Sequence, residues 1–118
     1  MAGSGRLTTH VLDTAHGKPA RGMRIDLLFI HGDHTHHLME SYTNADGRLD
    51  QSLLADDQFQ QGEFELHFHV GQYFSRLGLE LETPFLDVVP IRFTISEDAH
   101  YHVPLLVSPF GYSTYRGS

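Results

Sequence analysis

The 118-residue sequence contains no cysteine. Disulfide frameworks, thiolate nucleophiles and sulfur-bound zinc are therefore excluded, and a reducing, cytoplasmic setting is the expectation. Positive charge is scarce: 8 Lys and Arg face 15 Asp and Glu, giving a formal net charge of -7. Binding to nucleic acid lacks its electrostatic drive at that balance, and an acidic surface disfavours anionic membranes. No apolar run approaches the roughly 20 residues of a helical membrane span. The opening segment Met1 to Arg6 is short and has no apolar centre, so it does not read as a signal peptide. Residues 1–5 are expected to be flexible. There is no Gly-rich phosphate loop and no Gly-x-Ser-x-Gly elbow, so covalent catalysis by serine has little support. Repeats, linkers and low-complexity tracts are absent as well, and residues 1–118 read as a single domain.

What is present is a chain able to fold around one core, with 40% hydrophobic residues. Its apolar residues recur mostly with a period of two. Leu7, Thr9 and Val11 alternate with Thr8, His10 and Leu12. Met23, Ile25, Leu27 and Phe29 share one face, with Arg24 and Asp26 opposite. Gly32-Asp33 marks a turn into a returning strand over Leu38 to Thr43, and Asn44-Ala45-Asp46-Gly47 is a second turn, followed by a short run from Arg48 to Leu54. From Gly62 to Val70, Phe64, Leu66, Phe68 and Val70 oppose Glu63, Glu65, His67 and His69. The period breaks at Gln72 to Gly78, where Tyr73, Phe74 and Leu77 take helical spacing. Strands are expected again over Phe85 to Ile95, with Pro90 marking an edge or bulge, then over His100 to Val107 and Tyr112 to Arg116. Seven or eight short strands at roughly ten-residue spacing with one helix predict an antiparallel β-sandwich.

Ten histidines are many for this length, and imidazole is the side chain that titrates near working pH, at about 6.5. His10, Arg48 and His102 each sit at a strand or turn edge. Two imidazoles and a guanidinium could activate water and stabilise an oxyanion, although spacing alone does not bring them together. The cluster His31-Gly32-Asp33-His34-Thr35-His36-His37 has metal-ligand chemistry but falls on a hairpin tip, where fixed geometry is hard to hold. No metal site is assigned to it. His67 and His69 are read as part of a polar strand face. The ending Tyr115-Arg116-Gly117-Ser118 puts an aromatic, a guanidinium, a glycine and a hydroxyl directly after a strand, where they could shape a pocket.

Three segments together carry a resemblance: Leu7-Thr8-Thr9-His10-Val11-Leu12-Asp13, Thr43-Asn44-Ala45-Asp46-Gly47-Arg48, and His100-Tyr101-His102-Val103-Pro104-Leu105-Leu106-Val107-Ser108-Pro109 running into the Tyr-Arg-Gly-Ser ending. On these the chain resembles the 5-hydroxyisourate hydrolases, the transthyretin-related proteins of urate degradation, over residues 6–118. The resemblance implies a sandwich of two four-stranded sheets with one short helix. It implies a homotetramer with active sites at the dimer–dimer interface. It implies hydrolysis of a cyclic amide bond of 5-hydroxyisourate to 2-oxo-4-hydroxy-4-carboxy-5-ureidoimidazoline, without a cofactor. The catalytic residues map onto His10, Arg48 and His102, and substrate-binding residues onto Tyr115, Arg116, Gly117 and Ser118. One imidazole, His102 or in the reverse assignment His10, would accept a proton from water, and the rate would fall as pH drops through the imidazole range. A transthyretin-like small-ligand carrier and a His-rich metal-binding sandwich are the competing readings. The carriers lack the two histidines, the arginine and the Tyr-Arg-Gly-Ser ending.

Overall fold

A computed structural model describes residues 5–78 and 83–117. The strands are β1 (Arg6–Asp13), β2 (Lys18–Pro19), β3 (Arg24–His31), β4 (His34–Tyr42), β5 (Leu54–Ala55), β6 (Gly62–His69), β7 (Val88–Ile95), β8 (His100–Ser108) and β9 (Gly111–Thr114). Among the described residues there is one helix, α1 (Val70–Arg76), which follows β6, and one 3-10 turn, Asp56–Gln58. The strands form two sheets as expected, but one has five strands rather than four, because two short strands share the flank of β1. One runs β2-β1-β8-β9, with the two-residue β5 also on β1, and the other runs β4-β3-β6-β7. Within the sheets one pairing departs from the antiparallel expectation: β1 and β8 run parallel, in the register Thr8↔His102 and His10↔Pro104. Nearly the whole chain separates these two strands, so no short turn dictates their direction.

The period-two pattern explains the core. Leu7 and Val11 of β1, Ile25 and Leu27 of β3, Phe64, Leu66 and Phe68 of β6, and Leu105 and Val107 of β8 are all fully buried between the sheets. Phe29 was expected with them but is only partly buried, packed against the edge of the core. Pro90 lies on β7, which among the described residues is an edge strand paired with β6 alone, as its position predicted. The helix begins two residues earlier than its spacing suggested. It buries Val70, Tyr73 and Phe74, and the Tyr73 hydroxyl donates to the fully buried Asp13 at 2.7 Å. Asp13 also accepts from the backbone N–H of His16 at 3.0 Å, which ties the end of β1 to both the helix and its own turn.

The run from Arg48 to Leu54 is not the strand expected of it. Arg48 makes a single bridge to His10, and Leu54 pairs with Leu7, but the polar stretch between them bows away. That flank of β1 is thus covered in pieces, by β2 at Leu12 and Asp13, by Arg48 at His10, and by β5 at Arg6 and Leu7. Leu49, Asp50, Gln51 and Ser52 line a cleft of about 340 Å³ together with Thr8, Thr9, Arg48, His100 and His102. Among the described residues, no helix is long and apolar enough to cross a membrane.

Candidate active site

Side chains at even positions of β1 and β8 point away from the core, since strand residues alternate between faces. Thr8 and His10 therefore share the outer face of the β1–β8 pair with His100 and His102. Nδ1 of His10 lies 2.9 Å from Nε2 of His102, and the two rings are nearly parallel, 14° apart, with centroids 5.2 Å apart. Nδ1 of His102 is 2.8 Å from Oγ1 of Thr8, whose oxygen is also 2.8 Å from Nε2 of His100. Both ring nitrogens of His102 are thus engaged. His10 keeps its Nε2 outside this chain of contacts.

Arg48 reaches the pair through the turn before it. The Asn44 side-chain oxygen accepts from the backbone N–H of Asp46 at 2.9 Å and of Arg48 at 3.2 Å, and the Asn44 N–H donates to the Arg48 carbonyl at 2.7 Å. Gly47 completes the turn at φ 74, a left-handed conformation that glycine adopts without strain, and a Cβ there would collide with the Val11 carbonyl. This turn delivers Arg48 to the bridge with His10.

Burial and nearby charge disfavour protonation of both imidazoles. Burial holds the His102 ring down to about 4, aided by His10, Arg48 and His100. His10 is also lowered, first by burial and then by Arg48. Desolvation and a neighbouring guanidinium both penalise an imidazolium. A neutral imidazole with a free nitrogen beside a fixed cation can take a proton from water while the cation meets developing negative charge.

The tail approaches the same place. The Gly117 N–H donates to the His102 carbonyl at 2.7 Å, and a Cβ at position 117 would lie 2.8 Å from the His102 ring. Only glycine fits so close a contact. Arg116 is directed elsewhere within the chain: its guanidinium sits 4.1 Å over the Tyr101 ring and 3.8 Å from Glu97. Tyr115 is exposed. The expectation for Ser118 lies outside the described residues. Thr8 and His100 carry no signal of their own in the sequence, although both lie in the segments that bear the family resemblance.

The other histidines are placed differently. His34, His36 and His37 lie on β4 rather than in the turn itself, and His34 and His36 share a side with ring centroids 6.5 Å apart. His67 bonds Glu65 at 2.8 Å and His69 bonds Asp26 at 2.6 Å, on the polar face expected of them. Among the described residues, no three His, Cys, Asp or Glu side chains stand where they could hold a metal ion.

Fold and site together define a β-sandwich protein equipped for acid–base chemistry on the outer face of one sheet. The family model described as HIUase/Transthyretin family matches residues 7–117, and the chain belongs to that family. It is similar to 5-hydroxyisourate hydrolase 2 of Rhizobium meliloti (strain 1021), with 56% identity over 120 residues and 100% of both chains covered. Among solved structures it resembles the 5-hydroxyisourate hydrolase of Klebsiella pneumoniae at a TM-score of 0.80 and 35% identity, covering 96% of this chain and 99% of that one. It also resembles sea bream transthyretin in complex with thyroxine, at a TM-score of 0.84 and 27% identity, covering 95% of this chain and 94% of that one.

Proposed function

We infer that this chain is an enzyme that hydrolyses 5-hydroxyisourate, opening a cyclic amide by attack of water. The observation that carries the reading is the contact of His10 with His102, 2.9 Å apart beside Arg48, in a chain 56% identical over its full length to a 5-hydroxyisourate hydrolase. His10 takes the water proton on Nε2 as the water oxygen bonds the ring carbonyl carbon. Arg48 receives the charge that develops on the carbonyl oxygen, and its fork of donors suits planar acyl and urea-like groups better than an ammonium does. The carbon–nitrogen bond then breaks, and the nitrogen leaves with the proton returned from His10. His102 acts as partner to His10. Of the two assignments that the sequence left open, this one uses the imidazole with a free nitrogen. General base catalysis of this kind supplies about 10²–10⁴-fold.

The site faces outward from one sheet, and Tyr115, two residues before the Gly117 that contacts His102, is 56% exposed. We assign the uncovered side to a second copy of the chain, in a homotetramer whose active sites form where two dimers meet. Tyr115, Gly117 and Ser118 then serve as pocket residues, with Arg116 released from Tyr101 to join them.

The test is a coupled assay in which urate oxidase generates 5-hydroxyisourate and its ultraviolet decay is followed. Wild type should accelerate the decay, while His102→Ala, Arg48→Ala and a chain lacking Ser118 should be impaired. Decay at the spontaneous rate with wild type removes the hydrolase reading. Binding of an aromatic ligand without turnover would favour a carrier, for which the likeness to thyroxine-bound transthyretin speaks.

A further inference from the structure

We propose that Thr8 and His100 extend the His10–His102 pair into a proton wire, in which Thr8 sets the tautomer of His102 and His100 receives the proton that His10 takes from water. The proposal rests on the hydrolase reading for its direction and on geometry for its existence. The links run His100 Nε2 to Thr8 Oγ1 at 2.8 Å, Thr8 Oγ1 to His102 Nδ1 at 2.8 Å, and His102 Nε2 to His10 Nδ1 at 2.9 Å. Each link crosses between β8 and β1. The parallel register, Arg6↔His100 and Thr8↔His102, produces this zigzag by bringing Thr8 within reach of both β8 histidines.

The donor count permits two arrangements. A threonine hydroxyl has one proton to give. If it donates to His100, it accepts from Nδ1–H of His102, whose Nε2 then accepts from Nδ1–H of His10. That leaves the lone pair of His10 on Nε2, which is the state of a base. If Thr8 donates to His102 instead, His102 donates from Nε2 to His10, and His10 carries its proton on Nε2. In that state it has nothing with which to accept.

The first arrangement converts to the second by concerted transfer. Water gives a proton to His10 Nε2. His10 passes its Nδ1 proton to His102 Nε2, His102 its Nδ1 proton to Thr8, and Thr8 its hydroxyl proton to His100 Nε2. One proton enters and His100 becomes an imidazolium, while His10, Thr8 and His102 each end neutral. When the carbon–nitrogen bond breaks, the chain runs backwards and delivers the proton to the leaving nitrogen.

The environment explains why the charge is passed on. His102 is buried and its imidazolium is strongly disfavoured, so the proton cannot rest there. His100 and Thr8 are half-buried on the cleft wall. The charged groups facing His100 are Arg6 from β1, and Arg48 and Asp50 from the bowed loop, with His102 on its own strand. A purely structural Thr8 would clip β1 to β8 and would have no bearing on which nitrogen of His10 is free.

Three variants and one spectroscopic reading separate the roles. Thr8→Val keeps the shape and removes the hydroxyl. It should lower kcat about tenfold or more with KM within about twofold, and Thr8→Ser should restore most of the loss. His100→Gln keeps a hydrogen-bonding group that cannot hold the proton. It should lower kcat similarly, and the double variant should be no worse than either single one, as members of one unit are non-additive. Nitrogen-15 NMR of the imidazoles gives a reading independent of turnover. In resting wild type both His10 and His102 should carry their proton on Nδ1, and in Thr8→Val both should shift to Nε2. Unchanged tautomers or unchanged kcat in Thr8→Val overturn the proposal, as does a loss that Thr8→Ser does not restore. Unchanged kcat in His100→Gln removes the His100 end. Should wild type fail to turn over 5-hydroxyisourate, the hydrolase reading falls while the tautomer shift still tests the wire.

Discussion

The outer faces of the two sheets are both rich in histidine, and they use it in opposite ways. On the β3–β6 face, imidazoles meet carboxylates. Asp26, only 4% exposed, is contacted by His69 at 2.6 Å, by His37 at 3.0 Å and by Arg24 at 3.3 Å. Burial would raise its carboxyl pKa, but hydrogen bonds from His37, His69 and Arg24 outweigh burial and hold it below the usual range. Glu65 is likewise held down, by His67 first and then, against burial, by Arg92. On the β1–β8 face, imidazoles meet each other and a threonine hydroxyl, with Arg48 alongside. There burial and positive charge act together, and both rings are pushed below the ordinary imidazole value. A carboxylate beside a histidine anchors it by a hydrogen bond. Burial and a guanidinium beside a histidine disfavour its protonation instead.

The sharpest way to break this comparison is to truncate one histidine on each face. His10→Ala should lower kcat/KM by about 10²–10⁴-fold, measured by substrate decay. His69→Ala should leave turnover within about twofold of wild type and instead lower stability by about 1–3 kcal/mol in urea, since it strips a partner from a buried carboxylate. The arginines sharpen the contrast. Arg48→Lys should lose about 10²-fold in kcat, because one ammonium cannot reproduce the forked donor set at the oxyanion. Arg92→Lys, on the opposite face and half exposed, should change neither rate nor stability by a measurable amount.

The smallest expected effect concerns acid stability. A carboxyl whose folded pKa lies below its unfolded value stabilises the fold above the unfolded pKa, and that contribution is lost as pH falls through the folded one. Asp26 and Asp13 both carry such depressed values. For Asp13, burial acts upward and hydrogen bonds from Tyr73 and His16 outweigh it. Asp26→Asn should therefore be less stable than wild type at neutral pH and lose less on acidification below about pH 4. Denaturant midpoints across pH 3 to 7 check this, and parallel curves for the two proteins would contradict it.

Much of this was legible in the residues. The alternation from Gly62 to Val70 gave a strand because one face had to be apolar throughout, and β6 ends one residue short of that run. The Arg48 to Leu54 run misled because two anchored ends looked like one strand, whereas Asp50, Gln51 and Ser52 have no core to enter and wall the cleft instead. His10 and His102 stood out as chemistry, but 92 residues separate them, and nothing local states that β1 and β8 run parallel. That direction is what interleaves Thr8 with His100 and His102. The signal that could have found Thr8 and His100 was the i, i+2 spacing to His10 and His102 in both segments. Alternation also accounts for Arg116: with Gly117 against His102, the preceding side chain turns to the other side, onto Tyr101.

The pH dependence of kcat/KM tests the central claim most directly, because it reports the protonation of essential groups in the free enzyme. The residue types alone predict an ordinary imidazole limb. Burial and Arg48 displace it downward, so the part of the limb that belongs to His10 and His102 should lie below 6.5, the ordinary imidazole value, with His102 near 4. That part centred at 6.5 or above, in protein shown by circular dichroism to be folded, would contradict a base whose neighbours disfavour its protonation.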